Sequence, residues 1–209
     1  MRRCFACLCA ILGLMLSGCA TSPVARTPDA SLFHDELFAP RAETIDAAAV
    51  LAPSPQMLAF IAAKVVPQQR QKGRRQALFD ALYVGQQPWL DYDATITRTA
   101  AEAFDARSGN CLSLVLMTAS MAKQLDLQVR YQFVYTRESW SRDDVLSYLN
   151  QHVNLALLQP LRDDEVLVDF VPPAASADRR LRVLEERTIV AMYMNNRAVE
   201  LLSQHEFDR

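Results

Sequence analysis

A thiol is a useful nucleophile only once ionised, and a helix N-terminus and a neighbouring imidazolium each favour the thiolate. Cys111 stands where the first of these acts. It follows Ser108-Gly109-Asn110, which suits a tight turn, and it heads a run in which Leu112, Val115, Leu116, Ala119 and Ala122 trace one helical stripe. The imidazole must come from elsewhere. The chain has three histidines, and His34 and His205 lie near its ends and read as solvent-exposed bystanders. His152 lies on the predicted strand Gln151–Leu158, where alternation sets it on one face with Asn154 and Ala156. Farther on, Asp169 interrupts the apolar strand Val166-Leu167-Val168-Asp169-Phe170-Val171. A carboxylate between Val168 and Phe170 needs a partner, because an unpaired buried charge is expensive. A hairpin turn over Pro160–Asp164 that pairs residue 158 with 163 or 165 puts 152 opposite 169 or 171. In either register His152 and Asp169 are direct or diagonal neighbours on one face. The expected chemistry is that of a triad with cysteine as nucleophile, histidine as base and acid, and aspartate as orienting carboxylate.

Each residue also has a purely structural reading. Cys111 suits a small buried thiol at a helix start, His152 a polar residue on an exposed sheet face, and Asp169 a hairpin cap or an arginine partner. A metal site built from one Cys, one His and one Asp lacks any close ligand pair such as C-x-x-C or H-x-x-x-H, and no metal or other cofactor is expected. For the developing oxyanion the Cys111 backbone N–H is one donor, and a side chain of Gln86-Gln87-Pro88-Trp89 is a second candidate. Trp89, Trp140 and Tyr131 read equally as packing or as groove walls.

The positions of the other cysteines sharpen the interest in Cys111. The five are at 4, 7, 9, 19 and 111. Met1-Arg2-Arg3 precedes an apolar run from Phe5 to Leu16 and then the small residues Ser17-Gly18, the order of a secretory signal too short to remain as a spanning helix. Leu16-Ser17-Gly18-Cys19 resembles the lipobox of bacterial lipoproteins. That resemblance implies cleavage before Cys19, a diacylglyceryl thioether on its sulfur, and anchoring in a bilayer by acyl chains whose buried methylenes contribute about 0.8 kcal/mol each. An ordinary signal cut near Gly18 is the alternative. With residues 1–18 removed and Cys19 lipidated, the folded part keeps a single thiol, which leaves no intrachain disulfide in an oxidising compartment. Ala20 stands where an inner-membrane retention aspartate would sit in Gram-negative relatives, so the expected location is the outer membrane, facing the periplasm.

Of 22 basic residues two leave with the signal, so 20 face 24 acidic ones and the mature net charge is −4. That balance offers no footing for nucleic acid. Residues 19–44, with several Thr, Ser and Pro, read as a flexible tether. The rest suits one domain, about 45–183, followed by a terminal helical segment at 184–209. Predicted helices cover Ile45–Leu51, Pro55–Val66 behind Ser54, Gln71–Tyr83, Thr95–Asp105 and Cys111–Leu125. Lys72, Arg74 and Arg75 form a solvated face, and Val84–Tyr92 reads as loop. Strands follow over Val129–Thr136, Gln151–Leu158 and Glu165–Val171. Between the first two, 138–150 reads as a loop with a short helix from Arg142 to Leu149. A long helix, Leu184–Ser203, ends the chain. Helices and then antiparallel strands make an α+β domain.

Arg107-Ser108-Gly109-Asn110-Cys111-Leu112-Ser113-Leu114, then His152 and Asp169 on successive predicted strands, resembles the transglutaminase-like superfamily over about residues 90–200. It is most similar to the bacterial lipoprotein branch whose core is followed by tetratricopeptide repeats. The resemblance implies a papain-like core, N-terminal helices packed on a small antiparallel sheet, with Cys111 as nucleophile, His152 as general base and acid, and Asp169 as its orienting partner. It implies protein or peptide amides as substrates and no cofactor. Ala191-Met192-Tyr193-Met194-Asn195-Asn196-Arg197-Ala198 is similar to the helix that opens the repeats in those relatives, whereas this sequence stops at Arg209 without them. Two rivals to an enzyme remain: a scaffold lipoprotein with an idle triad, and a terminal helix that pairs with another protein through Ile189, Met192, Tyr193, Leu201 and Leu202.

Overall fold

The computed structural model describes residues 34, 46–84, 90–142, 146–158, 165–170 and 180–204, with backbone alone at 136–139 and 150. The expected signal, the lipidation site Cys19, the tether apart from the exposed His34, the 160–164 turn, the 86–89 segment and His205 lie outside these residues. All that follows belongs to the unit Arg41–Arg209.

The domain is α+β, with the helices first and the sheet after them. A single 3-10 turn, Ala49–Leu51, stands where a helix from Ile45 was expected. Helix α1 (Pro55–Phe60) starts as its residues dictate: the Ser54 hydroxyl accepts the Met57 N–H at 3.2 Å and Pro55 takes the first turn. It runs on as a π turn over Ile61–Val65, closed by Val66 N–H donating to the Ile61 carbonyl at 3.0 Å. Met57, Ile61 and Val65 recur every fourth residue and are all buried. The helix expected over Gln71–Tyr83 is two helices, α2 (Gln69–Lys72) and α3 (Arg74–Tyr83). Gly73 breaks them at φ +82°, a left-handed conformation that glycine adopts without strain. The basic run there is partly engaged: Lys72 pairs with Asp80 at 2.6 Å, and the Arg74 guanidinium donates to the Leu125 carbonyl at 3.1 Å.

Strand β1 (Asp91–Tyr92) replaces the end of the expected loop and pairs in parallel with β2 (Ser108–Gly109). Between them, α4 (Ala100–Ala106) begins later than expected. Thr99 caps it, accepting the Glu102 N–H at 3.3 Å while Glu102 reaches back to the Thr99 N–H at 2.8 Å. Residues 96–99 have no regular structure of their own.

Helix α5 (Cys111–Gln124) is the centre of the domain. Its apolar stripe is buried as expected, but so is every residue from Leu112 to Ala122. The helix is wrapped rather than laid on a surface, and Ser113 and Thr118 find local partners while the buried Ser120 hydroxyl has none among the described residues. Thr118 donates its hydroxyl to the Leu114 carbonyl at 2.8 Å.

The strands that follow, β3 (Gln128–Arg142), β4 (Ser147–Leu158), β5 (Glu165–Val168) and β6 (Leu181–Leu184), form a sheet of order β5-β4-β3-β6 in which every neighbouring pair is antiparallel. Strands β3 and β4 run well past their expected ends. In place of the predicted loop and short helix they pair as far as Arg142 with Ser147. A bulge interrupts them: Val134 faces His152, and pairing resumes at Ser139 with Asn150. Strand β5 ends before Asp169 rather than carrying it. Strand β6, unforeseen in the sequence, covers the far edge of β3, with Arg182 5.4 Å from the Phe133 ring centre. Helix α6 (Glu186–Ser203) therefore starts two residues later than expected. It buries Ile189 and Tyr193 in the core, which removes both from the proposed outward-facing patch, while Leu202 stays exposed.

Candidate active site

Cys111 is the first residue of α5. Asn110 caps the helix, its Oδ1 accepting the Ser113 N–H and the Ser113 hydroxyl, both at 2.9 Å. The other end of the same amide donates to Thr97 Oγ1 at 2.8 Å. With both ends engaged, the Asn110 side chain has one orientation, and the backbone entering Cys111 is fixed with it. Ser113 Oγ in turn accepts the Arg98 N–H at 2.8 Å. Gly109 is needed here for space: a Cβ on it would lie 2.6 Å from Ser113 Cβ.

His152 comes from β4 and is 7% exposed. The observed register pairs Leu158 with Glu165 and Leu155 with Val168, so one further step sets Asp169 beside Asn154, diagonal to His152. His152 Nε2 lies 2.6 Å from Asp169 Oδ1, and Asn154 Nδ2 donates to Asp169 Oδ2 at 3.0 Å. Both oxygens of the carboxylate are thus held, one by the imidazole and one by the amide. The Cys111 side chain lies on another side of the imidazole, near enough to favour its protonated form. Because Nε2 is committed to Asp169, Nδ1 is the nitrogen left to serve the sulfur.

The charges of this chain of contacts fix the protonation of its middle member. Burial alone would disfavour an imidazolium. The hydrogen bond to Asp169 and the nearby Cys111 sulfur, with the negative charge each can carry, outweigh it and push His152 up to about 9. The folded site therefore holds a proton on His152 at neutral pH. It can protonate a leaving group, and it presents a positive charge to the sulfur.

Tyr92 is a member of this site that sequence reasoning missed. Pairing of β1 with β2 sets it opposite Gly109, near Cys111. Tyr92 is 53% exposed, and the desolvation of its remaining part, with the negative charge Cys111 can carry, raises its ionisation above the usual tyrosine range. It fell in a stretch whose glycine and proline read as loop, and two residues of strand carry no periodic signal. Trp140 is exposed on the distal hairpin, and Tyr131 is buried with its hydroxyl donating to Glu186 Oε2 at 2.9 Å, so Tyr131 is packing rather than a groove wall. Among the described residues no three His, Cys, Asp or Glu side chains gather as metal ligands. None of the described helices is long and apolar enough to cross a membrane.

Comparison with protein-family models, curated proteins and solved structures returns no match for this chain.

Proposed function

We propose that this chain is a membrane-tethered lipoprotein whose Cys111, His152 and Asp169 act on protein or peptide amides through a thioester, as members of the transglutaminase-like superfamily do. One observation carries the reading: His152 bonds Asp169 at 2.6 Å and lies near enough to Cys111 for the sulfur to favour its protonated form, although the three come from a helix start, a strand and the residue after another strand. That order and those positions are what the superfamily resemblance implies, and the α+β architecture agrees with it.

In the proposed reaction the Cys111 thiolate attacks the amide carbonyl carbon. The carbon–oxygen π pair moves onto oxygen, where the Cys111 N–H can stabilise it. The tetrahedral species collapses, the carbon–nitrogen bond breaks, and His152 delivers its proton to the departing amine. The resulting thioester is then attacked by water, giving hydrolysis or deamidation, or by a primary amine, giving a new amide, with His152 accepting the attacking group's proton. Asp169 holds the ring in the orientation that serves both steps. The mature N-terminus in this reading is Cys19, lipidated in the outer membrane, with the domain in the periplasm.

The test is alkylation of Cys111 by iodoacetamide across pH, read on the peptide that carries it, together with amine incorporation into and hydrolysis of a casein substrate. Cys111→Ala should abolish turnover, and His152→Ala should flatten the alkylation profile. A thiol that reacts as a free cysteine does, and is indifferent to His152→Ala, sinks the enzymatic reading. An idle triad in a scaffold lipoprotein would then take its place.

A further inference from the structure

The terminal helix is linked to the cap of the Cys111 helix through one buried residue, Thr97. Thr97 is 2% exposed and lies in the irregular segment 96–99. Its Oγ1 accepts two amides: Asn110 Nδ2 at 2.8 Å, from the cap of the Cys111 helix, and Asn196 Nδ2 at 3.1 Å, from α6. Its backbone N–H donates to Glu200 Oε1 at 2.7 Å, and the other oxygen of Glu200 is held by Arg197 Nη1 at 2.6 Å. Thr97 and Asn196 are 99 residues apart in sequence.

This junction depends on directed bonds rather than on close packing. A cavity of about 390 Å3 opens beside it, lined by Ile96, Thr97, Arg98, Glu102 and Arg197 among others, so apolar contact does not hold the segment from that side. The 96–99 stretch has no helix or strand ladder; the Arg98 N–H on Ser113 Oγ and the Thr99 cap hold its second half, and Asn196 and Glu200 hold Thr97. Without Asn196 and Glu200, Thr97 can shift. The Asn110 amide then loses one of its two anchors and the first turn of α5 loses its fixed orientation. A displacement of about 1 Å in a reacting group can cost on the order of 100-fold in rate.

We infer that Asn196 and Glu200 are positioning residues for Cys111, acting through Thr97 and Asn110, so that the seating of the C-terminal helix sets the competence of the thiol. The inference rests on the proposed triad, and it makes α6 part of the enzyme's working parts instead of an appendage. A partner that pulled on the second half of α6 would turn the site down without touching it.

The experiment is the Cys111 alkylation profile across pH on the full chain, compared among wild type, Asn196→Ala, Glu200→Ala, Glu200→Gln and His152→Ala, with thermal midpoints measured alongside. Glu200→Gln keeps the oxygen that accepts the Thr97 N–H and should stay within about twofold of wild type. Asn196→Ala and Glu200→Ala should each slow alkylation near neutral pH by about tenfold and change the profile's shape at temperatures well below their midpoints. If Glu200→Ala does not fold, Asn196→Ala and Glu200→Gln decide the matter between them. A lowered midpoint with a wild-type profile in Asn196→Ala, while His152→Ala still alters the profile, overturns the inference and leaves the triad standing. An unaltered profile in His152→Ala overturns the triad, and the positioning role with it.

Discussion

Asp169 serves His152 from a diagonal position: it follows the last pair of the ladder, level with Asn154, yet its Oδ1 is 2.6 Å from His152 Nε2. The directly adjacent amide takes the second oxygen at 3.0 Å, which turns the carboxylate toward the imidazole. An aspartate directly opposite the histidine would not need such a guide. Asn154 is therefore expected to matter for the electrostatics of His152 through the carboxylate they share.

Asp169→Asn removes the charge that holds the proton on His152. Titration of the His152 ring followed by NMR should fall from about 9 toward or below the ordinary 6.5, since burial then acts with less opposition. Asn154→Ala should lower it by a smaller amount, because the carboxylate remains but is no longer aimed. Equal titration in wild type and Asp169→Asn would remove the carboxylate from the mechanism.

Stability should depend on pH through the same group. The folded chain keeps the His152 proton to about pH 9, whereas an unfolded chain releases it near 6.5. Below 6.5 both states are protonated and the folded state has the full benefit. Between 6.5 and 9 the benefit drains away as the unfolded state sheds its proton, and above 9 it is gone. Urea unfolding of wild type against His152→Ala should thus converge by about 3 kcal/mol as pH rises through this window. A stability difference that stays flat from pH 6 to 9.5 would contradict it.

Asn110→Ala loses the cap of α5 and one bond of Thr97 together. The expected cost is about 1–2 kcal/mol in the unfolding free energy, with slower alkylation of Cys111. Asn110→Asp keeps the oxygen for the Ser113 N–H but puts a carboxylate against Thr97 Oγ1, and should recover stability better than reactivity. Loss of both in equal measure would mean that cap and link are not separable.

Gly73→Ala tests the break between α2 and α3 where the site is not involved. Nothing lies within 4 Å of the added methyl, so only the positive φ resists it. We expect about 1 kcal/mol of destabilisation in chemical denaturation and an unchanged Cys111 alkylation profile. An unchanged or raised stability would show that the break is not held at that dihedral.

What could be read from the residues was the part governed by periodicity and by the cost of buried charge. The apolar spacing after Asn110 put Cys111 at a helix start, and an aspartate among valines asked for a partner that His152 could supply. The choice between two registers could not be made, because it turns on the 159–164 connection rather than on the strands. The distal half of the β3–β4 hairpin was missed because Arg142, Ser147 and Asn150 carry no alternating apolar signal. Strand β6 was missed because it is short and arginines interrupt its apolar pattern, Arg180 just before it and Arg182 within it, whose guanidiniums rest on Tyr135 and Phe133. Thr97 and Tyr92 are single residues in irregular or very short segments. Their roles come from what meets them across the fold, and no local pattern announces that.

Cys111 opens a helix in the first half of the domain, while His152 and Asp169 arrive with the sheet that closes it. Until strands β4 and β5 have paired and docked against α5, the sulfur has no base and no counter-charge. A chain still unfolded, or one that has lost its tertiary contacts, carries a dormant thiol. On the proposed function, reactivity then reports the assembled state, and a population of misassembled molecules would be harmless to nearby amides without any inhibitor to restrain it.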